Sequence, residues 1–235
     1  MFHKMIRIFI FCISVAIAVQ VSAQKKDDGH IQVVGGSQGT EFWIAIPAND
    51  FPQQPVTSLD VQIASAYSTE VTVYDAAGDK TYRRNIEPYV VRILNDTRGE
   101  TNWSWEVREI ERVVKKGIRI TAPQPLSVYV LNGKYVTSDG FLAIPTSAFG
   151  KQYIVTSYYD FASYYQWPAG FVIVAKENGT VVNIKLRGTG KGYAKTMGGK
   201  QIGDEWQVSM EEGDVYCVTG DGTTRGLFDI TGTEI

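Results

Sequence analysis

Acid-base chemistry near neutral pH usually recruits histidine, and this chain has two, His3 and His30, both ahead of any patterned segment. Its two cysteines, Cys12 and Cys217, are equally unpromising. Cys217 falls in the alternating run Val215-Tyr216-Cys217-Val218-Thr219, where a small buried side chain is its expected role. A Ser-His-Asp or Cys-His site would have to borrow His30 from a flexible leader. Once residues 1–23 are cleaved, one histidine and one cysteine remain, which cannot complete the usual tetrahedral zinc set. Carboxylates gather at Asp204-Glu205, at Glu211-Glu212 with Asp214, and at Asp221, each group beside a glycine. They lack EF-hand spacing, so solvated turns are expected there, with calcium binding the lesser alternative. A hydrolase using two carboxylates needs them about 5 to 10 Å apart in a cleft, and the sequence pairs no two. The run Gly188-Thr189-Gly190-Lys191-Gly192 resembles a phosphate loop only superficially. No Ser or Thr follows the lysine, and no helical pattern follows to offer its N-terminus. A hairpin loop carrying Lys191, Lys195 and Lys200 is expected instead. The residues therefore predict a protein that is not an enzyme and that uses no cofactor and no metal.

One cluster has the chemistry of recognition. Tyr158, Tyr159, Phe161, Tyr164, Tyr165 and Trp167 place six aromatics within ten residues before Pro168-Ala169-Gly170 closes the stretch. Rings with polar tips suit binding surfaces, and tyrosine and tryptophan can stack on sugars. The alternative is a small satellite core folded over a sheet edge.

The ends of the chain bear on compartment. Lys4 and Arg7 precede an apolar run from Ile8 to Val19, and Val21-Ser22-Ala23 offers the small residues of a cleavage site. The run is short against the roughly 20 residues of a membrane span. Residues 1–23 are thus expected to be a secretory signal peptide, with no membrane span, and residues 24–38 a flexible polar leader. The formal net charge of −2 becomes more negative once Lys4 and Arg7 leave. Nucleic acid as a partner is excluded on this ground, since its binders carry a basic patch or stripe. With Cys12 gone no intrachain disulfide is possible, so a hydrophobic core must supply the stability.

The body reads as short strands. Ile118 and Ile120 alternate with polar neighbours, Pro123 and Pro125 bracket a turn, and Leu126, Val128 and Val130 share a face. Asn132-Gly133 predicts a tight hairpin that returns Tyr135 beside Val130. Ser138-Asp139-Gly140 predicts a further turn, Phe141 to Ile144 a short strand stopped by Pro145, and Gln152 to Tyr159 another strand. Val107, Ile110, Val113 and Val114 fit a short helix, while Trp103, Trp105 and Val107 fit a strand. A period runs through this pattern. Gly39, Phe42 and Ile44 correspond to Gly150, Tyr153 and Val155, and Val71 and Val73 to Val182 and Ile184. Gly117 and Ile120 then correspond to Gly232 and Ile235.

The expected fold is all-β, with two related antiparallel β-sandwich-like units in tandem, 39–149 and 150–235. Leu227 to Ile235 ends in mid-pattern, so the second unit is expected to be incomplete. GTEFWIAIP, the pairing of GIRITAPQPLSVYVLNG with DGFLAIPTSAFGKQYIVTSY, and AGFVIVAKENGTVVNIK resemble the N-terminal domain family of the IgGFc-binding protein, from about Gly39 onward. That resemblance implies a secreted or surface-displayed, non-enzymatic binding or adhesion module of a mucus, matrix or cell-surface protein. It implies an extracellular protein or glycan as partner, together with further domains of the full-length chain. It carries over no catalytic motif. A carbohydrate-recognition sandwich that uses the aromatic stretch is the alternative.

Overall fold

The structure is a computed structural model and describes residues 24–25, 31–32, 36–49, 56–94, 105–134, 138–157, 169–188, 195–221 and 229–235. The expected signal peptide, 1–23, lies outside the described residues. In the leader, β1 (Gln24–Lys25) pairs antiparallel with β2 (Ile31–Gln32). All other strands belong to a separate unit, Ser37–Ile235.

That unit is built of β-sheets, antiparallel except for one short parallel pair, with no α-helix among the described residues. Its first strands are β3 (Gln38–Ile44), β4 (Ile46–Pro47), β5 (Val56–Ala64), β6 (Thr69–Asp75), β7 (Lys80–Ile86) and β8 (Arg92–Leu94). Next come β9 (Glu106–Val107), β10 (Val113–Lys115), β11 (Ile118–Lys134) and β12 (Ser138–Leu142). A 3-10 turn at Thr146–Ala148 precedes β13 (Gly170–Val174), β14 (Thr180–Lys185), β15 (Glu205–Met210) and β16 (Asp214–Thr219).

The 17-residue β11 is the common member of the largest sheet. Its first part lies between β6 and β3, with Ile118 opposite both Asp75 and Ile44. Its second part lies between β5 and β12, with Val130 opposite both Val61 and Phe141. The exchange of neighbours falls at Pro123 and Pro125. Proline has no N–H to give a ladder, and here β11 advances from Thr121 to Leu126 while β3 moves only from Glu41 to Gly39. Such irregularities let one strand serve two sheet layers around one core. Ile118, Ile120, Leu126, Val128 and Val130 all face that core, which Phe42, Ile63, Val71, Val73 and Trp105 complete.

In the second half β16 lies between β10 and β13, and β14 pairs with β15. One face of the three-stranded sheet packs Val172, Val174, Val215 and Cys217 against Ala45 and Val107. Tyr216 and Val218, from the alternate positions of β16, pack with Val182, Ile184 and Met210. The chain closes with Tyr153 and Ile235 exchanging main-chain bonds of 2.8 and 2.9 Å. Glu234 bridges to both Ile154 and Lys185.

Three local expectations are corrected. Asn132-Gly133 is not a turn, because β11 runs through it and Val130 faces Phe141, not Tyr135. Ser138-Asp139-Gly140 is strand as well. The prolines sit inside β11 at a break in register, so they bracket no turn. For the segment with two readings, Glu106–Val107 and Val113–Lys115 are both extended. The strand expected over Gln152 to Tyr159 is reduced, among the described residues, to the bridge at Ile154.

Asn132 is held in β11 by tertiary partners. Its side-chain amide donates to the Pro47 carbonyl at 3.2 Å and to Glu106 Oε1 at 3.0 Å. The fully buried Glu106 also accepts from Asn49 N at 3.0 Å and Arg108 Nε at 2.7 Å. Burial alone would raise the Glu106 carboxyl, but the bonds from Asn132, Asn49 and Arg108 outweigh it and hold it below its ordinary value of 4.5. A second close contact joins the start of β11 to the turn before β16. Gly117 N donates to Gly213 O at 2.9 Å, and a β-carbon at Gly117 would sit 2.8 Å from that oxygen and 3.0 Å from the Trp43 ring.

Glu106→Ala is expected to cost about 3 kcal/mol in denaturant unfolding, because it leaves buried donors without an acceptor. A carboxyl with a depressed folded-state pKa contributes stability above 4.5 and loses it as pH falls through the lower folded value. Wild-type stability should therefore drop below pH 4.5 more steeply than that of Glu106→Gln, and parallel pH curves would remove Glu106 from this role. Gly117→Ala should cost about 1 to 3 kcal/mol by overpacking, and a change near zero would show that the two main chains can separate freely.

Candidate binding surface

The aromatic residues Tyr158, Tyr159, Phe161, Tyr164, Tyr165 and Trp167 lie outside the described residues, as does His30. The described surface has its own apolar feature. A cavity of about 300 Å³ opens between the two halves, and none of its lining residues is charged. Its floor is the end of β3 and start of β4, including Trp43, Ala45 and Pro47. Leu142 and Ile144 form one wall, and Val172 and Val174 of β13 another. Leu142 and Ile144 are about half exposed, at 49% and 48%.

The wall continues onto the outer face of the sheet. Leu142 lies opposite Tyr129, Tyr129 opposite Gln62, and Gln62 opposite Ile93. Because successive side chains alternate across a sheet, burial of Val128 and Val130 obliges Tyr129 to face outward. Tyr129 leans over the backbone of Gly140, where an added β-carbon would meet its hydroxyl oxygen at 2.5 Å. Ile93, Gln62, Tyr129 and Leu142 thus form an outward row, apolar except at Gln62, that ends at the cavity. Outward positions of a one-sided sheet are ordinarily polar, so a mostly apolar row is informative.

Trp43 is fixed from several sides. The Arg119 guanidinium carbon lies 5.9 Å from its ring centre, and Tyr74 meets it edge-on at 6.4 Å. Arg119 is itself held by Glu41 at 2.7 Å and Glu212 at 3.4 Å, and Thr146 Oγ1 donates to Glu41 Oε2 at 3.0 Å. Burial pushes the Glu41 carboxyl up, and the Arg119 and Thr146 bonds with the charge of Arg119 bring it below the usual value. The cavity floor is therefore preorganised by an ion-pair frame.

The remaining sequence candidates have local duties. Asp204 Oδ2 accepts from Gln201 N at 2.8 Å, and Asp214 Oδ2 from Glu211 N at 2.8 Å. Asp221 pairs with Lys195 at 2.9 Å, and Lys200 lies 5.6 Å from the Trp206 ring centre. Among the described residues no group of three or more His, Cys, Asp or Glu is arranged to hold a metal ion. Cys217 is buried, and desolvation, helped by the nearby Glu109 charge, pushes its thiol up to about 12. Phe141 to Ile144 is an apolar run in the sequence, and alternation decides which of its side chains are exposed. With Ala143 in the core, Leu142 and Ile144 had to face out.

The family model described as IgGFc binding protein matches residues 139–235. The match includes the DGFLAIPTSAFGKQYIVTSY and AGFVIVAKENGTVVNIK motifs and is narrower than the resemblance read from Gly39 onward. No curated protein and no solved structure matches the chain.

A thiol with so high a pKa, shielded by sheet, is a poor nucleophile at neutral pH. Cys217 should label with a thiol reagent only after denaturation, as read by mass spectrometry of its peptide. Rapid labelling of the native protein would show that the face of β16 against Ala45 and Val107 opens.

Proposed function

We propose, from the family match over 139–235 and the open apolar cavity, that this chain is an extracellular module that acts by binding and not by catalysis. In this reading it is secreted and serves adhesion or matrix assembly, with an extracellular protein as partner. The single observation that carries it is the adjacent exposed pair Tyr129 and Leu142 running into an apolar cavity of about 300 Å³. Exposed apolar surface of this kind favours partner contact, and an apolar pocket is a natural candidate for a binding site. The charged groups beside it support the same reading, since Arg119, Glu41 and Glu212 are engaged with one another.

We also infer that 39–149 and 150–235 are related units. Arg119 lies between Trp43 and Tyr74, and Glu234 lies between Ile154 and Lys185. These are the positions that correspond in the sequence period. Shared pairings support duplication more strongly than shared alternation, because register depends on long-range contacts.

The test is binding of the chain to immobilised extracellular proteins and glycans, immunoglobulin Fc among them, with Tyr129→Ser and Leu142→Asp as variants. Surface substitutions usually change stability by no more than about 0.5 kcal/mol, so both variants should melt close to the wild type. Each is expected to weaken binding about tenfold or more, the scale of one lost anchor residue. Retention of full binding by both would move the site elsewhere, and substrate turnover by the chain would overturn the reading as a binding module.

A further inference from the structure

The cavity has a backbone side as well as an apolar one. Ala143 N donates to Val128 O at 2.9 Å, so 128 and 143 form a hydrogen-bonded pair. In an antiparallel ladder such pairs alternate with pairs whose main-chain groups point away. Tyr129 and Leu142 are the next pair along, and Leu142 therefore turns its N–H and C=O away from β11. Among the described residues β12 pairs with β11 alone. Among the described residues the outward edge is thus an unfilled row of donors and acceptors.

The cavity lies along that edge. Phe141, Leu142, Ala143 and Ile144 all line it in unbroken succession, although neighbouring side chains of a strand point to opposite faces. A void under one face would touch every second residue, whereas a void beside an edge touches them all. β13 contributes only Val172 and Val174, which share one face. The one charged residue of β12, the exposed Asp139, lies outside the stretch Phe141 to Ile144 that lines the cavity. The outermost strand β7 exposes Lys80, Arg83 and Arg84, a common defence against strand pairing, while the cavity lining carries no charge. A volume of about 300 Å³ lies at the bottom of the range for drug-sized ligands and suits side chains entering from a strand.

We propose that β12 is a docking edge for an extended peptide segment of a protein partner, which adds as a further antiparallel or parallel strand and places alternate apolar side chains against Val172, Val174 and Trp43. Main-chain bonds supply affinity and the cavity supplies selectivity, as in other strand-addition sites. This rests on the reading of the chain as a binding module and specifies how it binds.

The probe is a library of random linear heptapeptides displayed on phage, selected against the intact chain. One selected peptide is then made unmodified and with its amides N-methylated at alternate positions, in each of the two registers. Sequences apolar at every second position should emerge. Methylation in one register should weaken binding about tenfold, the loss of roughly two hydrogen bonds, and in the other register hardly at all. Leu142→Pro removes an N–H the fold does not use and should weaken the unmodified peptide similarly. The methylation arms use the wild-type chain, so they stand even if that variant folds poorly. Failure to select any peptide, or equal tolerance of both registers, overturns the docking edge. Binding of immobilised extracellular proteins together with either of those failures would leave the module reading intact and remove only this one. A strand-like peptide response with no extracellular protein or glycan bound would do the reverse.

Discussion

A strand has two edges, and every buried peptide group on them must find a partner. β11 meets that constraint with four strands, two along its first part and two along its second. The exchange has to occur where a missing donor does least harm, and Pro123 and Pro125 stand there. Because even-numbered residues of β11 remain inward on both sides of the break, both layers share one core. Most of the large sheet follows from this one strand: which elements are central, which are edges, and where the core lies.

Polar groups near the core are used up in holding that arrangement. Glu106 ties the short parallel pair of β4 and β9 to β11 through Asn132. Arg119 and Glu41 steady Trp43 beneath the cavity. Ion pairs of this partly buried kind add uncertain stability but fix geometry. The open surface left beside them is apolar and backbone, a combination suited to associating with another chain.

Alternation made the strands legible, because burial on one side of a sheet writes itself into sequence with period two. It made the apolar inward residues of β11, from Ile118 to Val130, legible. Asn132-Gly133 misled because the dipeptide has strong local turn chemistry, and its actual partners are distant. Glu106 is 26 residues from Asn132 and 57 from Asn49, and no short-range pattern encodes such a meeting. The surface row was half legible. Leu142 and Ile144 follow from alternation, but their joining with Val172 and Val174 depends on how the two halves pack. The aromatic stretch was conspicuous in composition, which measures neither burial nor neighbours.

β10 adds itself not to a strand of nearby sequence but to β16, with Lys115 opposite Asp214. During synthesis the chain emerges from its N-terminus, so β10 has no strand partner among the described residues until β16 has been made. Closing so long a loop costs entropy before any contact is gained, and folds rich in such contacts form slowly. The three-stranded sheet therefore cannot be a nucleus assembled early on the ribosome. It is a late closure, and until it forms the apolar face of Val107 and Ala45 stays open to solvent or to a chaperone.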